Sequence, residues 1–264
     1  MRSTTAALII LADRRKLWSS AVETLRARFA GSVAGMAWTL IGPLLLMGLY
    51  ASIYLVIFRI RVPELTSMQY VLYVLCGLMP FLMTSEAIST STGSIAGNRQ
   101  LLENTVFPVA LMPAKHVLAS QGAIIAALPV AILGAVFTDT ASPAMLLLPV
   151  VWALHLLALF GICWILAILN VFIRDTQQFI GVVLMALLIA SPFAYTPSMV
   201  PDTLQPLIYV NPLAYFVITY QSLVVYGEIP ALPIVAGLVG FSIGSFTIGS
   251  IVFDRLKAAA IDHV

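Results

Sequence analysis

Charge is what this sequence has least of. Asp, Glu, Lys and Arg make up 9% of its 264 residues, where a soluble domain carries about 25%. A soluble fold of this length could bury one large core, but 13 basic and 11 acidic side chains are too few to cover it. A formal net charge of +2 is too small to suggest a nucleic-acid partner. Cysteine is almost missing as well. Cys76 and Cys163 both fall inside apolar runs and read as buried small hydrophobes, not as a disulfide or a metal pair. No Cys/His cluster has metal-ligand spacing. The sequence contains no G-x-x-x-x-G-K-[ST], hence no Walker-type ATP site, and neither H-E-x-x-H nor G-x-S-x-G. Ser94, in Thr92-Gly93-Ser94-Ile95-Ala96-Gly97, is not in a nucleophile elbow. The first 35 residues hold six Lys/Arg and no apolar run ending in a small-residue cleavage site, so no cleavable signal peptide is expected.

What is present is apolar: 61% of the residues are hydrophobic and the mean hydropathy is +1.04. A bilayer core about 30 Å thick needs ~20 apolar helical residues to cross it. That ruler gives spans at 36–58, 69–91, 115–137, 144–169 and 231–253. A shorter sixth falls at 179–196. The chain therefore reads as one all-α integral membrane domain over 1–264, with no soluble domain, no low-complexity tract and no internal repeat. Its expected parts are a cytoplasmic amphipathic segment (1–35), spans one to five (36–196), an outer hairpin (197–230), a sixth span (231–253) and a cytoplasmic tail (254–264).

The hairpin expectation comes from proline. Prolines fall at 197, 201, 206, 212, 230 and 233, and the apolar run LAYFVITYQSLVVY between Pro212 and Gly227 is too short for a span. It suits a re-entrant or interfacial helix better than a span, with irregular flanks buried in protein or facing water; the charge asymmetry below favours the re-entrant one. Lys/Arg bias sets the orientation. With six spans and both termini cytoplasmic, the inside segments hold Arg2, Arg14, Arg15, Lys16, Arg26, Arg28, Arg99, Lys115, Arg174, Arg255 and Lys257; the outside ones hold Arg59 and Arg61. A full crossing by 213–226 would move Arg255 and Lys257 outside and weaken that asymmetry.

Before the first span, Leu17, Trp18, Ala21, Val22, Leu25 and Phe29 recur at helical spacing over an arc of roughly 140°. Lys16, Glu23 and Arg26 lie off the arc, while Arg14 and Arg28 intrude on it. Such a helix would lie in the cytoplasmic interface as an anchor against anionic headgroups; the same surface could also dock a partner. Two ionisable residues fall within spans, His155 and Glu86, and intramembrane ionisable groups point to function by default. His155 also fits an interhelical hydrogen bond. Glu86 also fits pairing with a basic group at the inner interface. Together they make no proton relay. Tyr50, Tyr54 and Phe58 form an i, i+4, i+8 stripe on the first span, and Tyr195, Tyr209, Tyr215 and Tyr220 lie in or near the outer hairpin. These aromatics fit a wet path as well as a lipid-facing belt or ordinary packing.

Several stretches together resemble one family. Arg26-Ala27-Arg28-Phe29-Ala30-Gly31-Ser32-Val33-Ala34-Gly35-Met36-Ala37-Trp38, then Gly42-Pro43-Leu44-Leu45, is similar to the approach to the first span of ABC-2 type polysaccharide-export permeases. That family shows a basic/aromatic stretch, G-S-x-x-G-x-x-W and P-L-L. Leu101 to Phe107-Pro108 resembles its cytoplasmic loop, and Asn170-Val171-Phe172-Ile173-Arg174-Asp175-Thr176 its R-D turn. Ser191-Pro192-Phe193-Ala194-Tyr195, Val200-Pro201 and Asn211-Pro212-Leu213 resemble its outer hairpin. The matches run in order along nearly the whole chain, and O-antigen and teichoic-acid exporters fit better than the capsule branch.

The resemblance implies a homodimer in a bacterial cytoplasmic (inner) membrane, bound to two copies of a separate Walker-motif ATPase. That subunit would hold ATP and Mg, so this chain would carry no cofactor and no catalytic residue of its own. Gly97, Asn98, Arg99, Leu101, Leu102 and Glu103 would form the helix that couples to the ATPase. The cargo would be a lipid-linked polysaccharide. Arg26, Arg28 and Arg99 could meet its pyrophosphate, or could instead contact headgroups and mark topology. Tyr50, Tyr54, Phe58 and Tyr195 could line its path. A drug or lipid exporter, a self-sufficient secondary carrier or intramembrane enzyme, and a scaffold without transport are the other function classes. Paired intramembrane acids, or a nucleophile with its base, would have pointed to the carrier or enzyme.

Overall fold

The computed structural model describes residues 5–59, 62, 64–98, 107–201 and 203–263. Among these there are ten main helices, adjoining helical segments taken together, two three-residue 3-10 turns (Ala96–Asn98 and Pro197–Met199) and no strand. Two short ones come first, α1 (Ala6–Ala12) and α2 (Arg14–Arg28). The body is built from α3 (Gly35–Ile57), α4 (Ser67–Thr92), α5 (Leu111–Phe137), α6 (Pro143–Phe172) and α7 (Thr176–Ala190). The chain closes with α8 (Gln205–Val210), α9 (Pro212–Tyr226) and α10 (Leu232–His263). Among the described residues five helices are long and apolar enough to cross a membrane: α3, α4, α5, α6 and α10. The shorter span expected at 179–196 is a 15-residue helix, α7, about 22 Å long, followed by irregular chain.

Local chemistry sets the helix limits. Thr66 and Gln69 form a capping box at the start of α4. Ser142 accepts from the Ala144 N–H with Pro143 in the first turn of α6. Asn211 does the same for α9, accepting from Leu213 ahead of Pro212. The turn from α2 to α3 explains the spacing G-S-x-x-G: Gly31 and Gly35 have φ of +80° and +51°, left-handed values that glycine adopts without strain. Two expected boundaries move. The third span begins at Leu111 and breaks at Ser120-Gln121, where both side chains bond back to the Val117 carbonyl and compete with the helical ladder. The expected tail from 254 on is helical through His263, continuing α10.

Contacts sort the helix termini onto two ends of the bundle. At the proximal end, Asp254 near the end of α10 accepts the Ala6 N–H with both carboxylate oxygens at 3.1 Å, satisfying a donor that the start of α1 leaves free. At the distal end Tyr70 Oη donates to Ala194 O (3.0 Å), Tyr73 Oη to Tyr195 O (3.1 Å), and Ser142 Oγ to Gly227 O (2.6 Å). Between the ends α4 is the central helix, 78% buried over its most apolar stretch against 11% for α3. The closest helix pair is α6 with α10. A Cβ at Gly161 would sit 2.1 Å from Ser245 O, and one at Gly249 2.3 Å from Gly161 O, so only glycine permits this approach of two backbones.

Candidate functional site

At the proximal end the N-terminal helices dock on the bundle. Of the expected apolar arc, Leu17 and Ala21 are buried where α2 packs against the first half of α5. Trp18 stays 66% exposed and, with Ser19, Val22, Glu23 and Arg26, lines an open surface groove. The arc is thus divided between a protein contact and a free apolar face. Arg28, in the last turn of α2, is ion-paired with Glu86 on α4; Arg26 is exposed.

Gly97 and Asn98 close a 3-10 turn, Ala96–Asn98, at the end of α4. The Gly97 N–H bonds to Gly93 O (2.9 Å) and Asn98 Nδ2 to Ser94 O (2.7 Å), so the chain leaves α4 on a fixed turn. Arg99, Leu101, Leu102 and Glu103 lie outside the described residues.

In the middle of the bundle His155 is 1% exposed. Its Nε2 is 2.9 Å from Thr84 Oγ1 on α4, and its ring stacks on Phe216 of α9 with centroids 4.1 Å apart. One imidazole thereby joins α6, α4 and α9. Beside it lies an apolar cavity of about 60 Å³.

At the distal end the first-span stripe holds together: Tyr50 and Tyr54 are stacked at 6.3 Å, and Tyr54 meets Phe58 at 5.5 Å. A residue the stripe pattern did not reveal completes it. Phe193 stands edge-on to both tyrosines, at 6.0 Å from Tyr50 and 5.7 Å from Tyr54, a favoured aromatic geometry. Tyr195, the fourth expected aromatic, bonds through its hydroxyl to Ala190 O (3.0 Å). Phe193 is positioned by the buried Gln221, whose Nε2 donates to Tyr73 O (3.2 Å) and Pro192 O (3.0 Å), and by Asn211 bonding Ser191 Oγ (3.0 Å). The signal for this was the one carboxamide, Gln221, inside a largely apolar 14-residue run; in a membrane such a group must find partners.

A bundle of membrane-length helices carrying polar docking elements at one end and a bonded aromatic hairpin at the other has the build of a transport subunit. The chain belongs to the ABC-2 type transporter family, whose model matches residues 15–225. It is 27% identical over 242 residues to an O-antigen export system permease protein RfbA of Klebsiella pneumoniae, covering 89% of both chains. It is 26% identical over 247 residues to the protein of the same name from Myxococcus xanthus, covering 92% of this chain and 93% of that one.

Proposed function

We propose that this chain is the permease subunit of an ATP-driven exporter that moves a lipid-linked, O-antigen-like polysaccharide across the bacterial cytoplasmic membrane. Two copies would assemble with two copies of a separate ATPase that binds ATP and Mg, this chain hydrolysing nothing itself. The observation that carries the reading is likeness to export permeases along about nine-tenths of both chains. The lack of any Walker motif in the sequence agrees with an engine on another subunit.

Six crossings with an outer re-entrant hairpin fit the geometry. Helix α7 starts just after the proximal end of α6, and the segment that follows it bonds to Tyr70 and Tyr73 at the distal end of α4. The α8–α9 hairpin is tied to the distal end through Gly227, while Phe216 reaches inward to His155. Lys/Arg bias makes the proximal end cytoplasmic, with both termini there.

On this reading the loop carrying Gly97, Asn98, Arg99, Leu101, Leu102 and Glu103 meets the ATPase. Motion imposed on it reaches the central helix α4 directly, and reaches α2 through Glu86 and Arg28. The diphosphate of the carrier lipid would compete with Glu86 for the Arg28 guanidinium, with Arg26 and Arg99 as further donors, because Arg forks match phosphate oxygens. The thinly covered face of α3 would meet the second copy, and Tyr50, Tyr54 and Phe58 would offer ring faces to the C–H faces of passing sugars.

Affinity purification from the native membrane, with identification of what accompanies the chain, tests this. A Walker-motif ATPase at two copies per two permeases is expected, and Leu101→Asp with Leu102→Asp should abolish its recovery while leaving membrane insertion intact. A preparation free of ATPase that still moves its substrate would overturn the reading.

A further inference from the structure

We propose that the distal face of each subunit carries a saccharide-binding subsite for a neutral sugar unit, in a pocket built around Tyr226, Ser222, Gln221 and Glu64. The proposal rests on the polysaccharide-export reading and on its orientation, and adds to it a binding site away from the first-span stripe.

The pocket has a volume of about 540 Å³, inside the range that small ligands occupy. A second pocket of about 290 Å³ shares Pro197, Ile218, Ser222 and Tyr226 with it and adds Tyr209 and Glu228. The two pockets lie side by side against these four shared residues. Tyr226 stands where they meet. It is 38% exposed and lies in a π-helical turn, Ser222–Tyr226, a local geometry frequent at functional sites. Its ring is fixed by the edge-on ring of Tyr73, centroids 6.3 Å apart at 83°. Tyr73 is itself 1% exposed and bonded to Tyr195 O. A rigid, half-exposed tyrosine flanked by Ile218, Pro197 and Met199 is a flat apolar platform with a polar tip, which suits the C–H face of a sugar.

The polar groups sit around that platform. Ser222 offers a hydroxyl, and the exposed carboxylates of Glu64 and Glu228 accept hydrogen bonds from sugar hydroxyls. Both formal charges among the described lining residues are negative. Each of these carboxylates would repel an anionic unit brought against it, so the subsite is proposed for neutral units and not for uronic acids or phosphorylated ones. Gln221 fixes the floor through its bonds to Tyr73 and Pro192, so the site is formed before the sugar arrives. A polymer emerging between the subunits would meet this site on leaving the membrane.

The test is saturation-transfer NMR on the full-length chain in lipid nanodiscs. The probes are mannotriose, galactotriose and rhamnotriose, with trigalacturonate as the anionic control. Transfer to at least one neutral probe and none to trigalacturonate is expected. Tyr226→Ala should weaken it by about tenfold, the loss of one stacking contact, and Tyr226→Phe should keep it. Ser222→Trp fills the pocket by a different route and should abolish transfer in a sample that elutes as the wild type does. Silence from all neutral probes, equal binding of trigalacturonate, or full signal in both Tyr226→Ala and Ser222→Trp would overturn the subsite. If, after any of these results, the wild-type chain still restores surface polymer to a deletion strain, the subsite alone fails; if the wild-type chain restores none, the export reading fails with it.

Discussion

Arg28 and Glu86 stand 58 positions apart in sequence and are joined in an ion pair that ties the last turn of α2 to the central helix α4. Both side chains are part-exposed, at 30% and 27%, so the pair contributes about 1 kcal/mol or less to stability. Arg28→Ala and Glu86→Ala should each lower the melting temperature of the purified protein slightly, and the double variant by less than their sum. The reversed pair, Arg28→Glu with Glu86→Arg, should regain stability. It should not regain export, because a carboxylate at 28 repels a diphosphate. Recovery of both would remove Arg28 from the lipid-binding role.

His155 and Thr84 make a second tie in a drier place. Thr84→Val deletes the hydroxyl that His155 Nε2 meets at 2.9 Å and leaves the volume nearly unchanged. Hydrogen bonds between membrane helices are worth about 0.5–2 kcal/mol, so a matching drop in thermal stability is expected, with export retained. Loss of export at unchanged stability would assign this pair a functional role.

Gly161 and Gly181 make a contrasting pair. A side chain at Gly161 collides with the Ser245 carbonyl, whereas nothing lies within 4 Å of a Cβ at Gly181. Gly161→Leu should therefore destabilise by about 1–3 kcal/mol or more through overpacking, read as lost yield of monodisperse protein. Gly181→Ala should be neutral or slightly stabilising. Equal behaviour of the two would contradict the close α6–α10 contact.

Gln221 holds the distal turn in place. Gln221→Leu leaves the carbonyls of Tyr73 and Pro192 without their amide donor and should loosen the segment that presents Phe193. Ala194 is 2% exposed, so a cysteine placed there should be protected from thiol reagents in the parent and labelled in the Gln221→Leu background. Protection in both would show that Gln221 is not what holds the turn.

Five crossing helices were legible from hydropathy, because length and apolarity alone decide them. The glycines at 31 and 35 were legible as a motif, but its cause, two left-handed residues in the α2–α3 turn, needed the backbone. Hydropathy could not decide what lies against an apolar arc, since lipid and protein are equally apolar; hence Leu17 and Ala21 turn out to pack on α5 while Trp18 faces outward. It could not find Phe193, whose ring meets Tyr50 and Tyr54 from more than a hundred residues away. The same holds for Tyr226 and Glu64, which no local spacing connects. Partners for Glu86 and His155 were foreseen as types, a base and another helix, and only the packing named Arg28, Thr84 and Phe216.

The most direct measurement is the location of the polymer in a host strain lacking this chain but still synthesising the polysaccharide. Intact and permeabilised cells would be stained with an antibody to the polymer. Staining only after permeabilisation, with surface staining restored by the wild-type chain, is expected of an export permease. Surface polymer at the parental level on intact deletion cells would contradict that function.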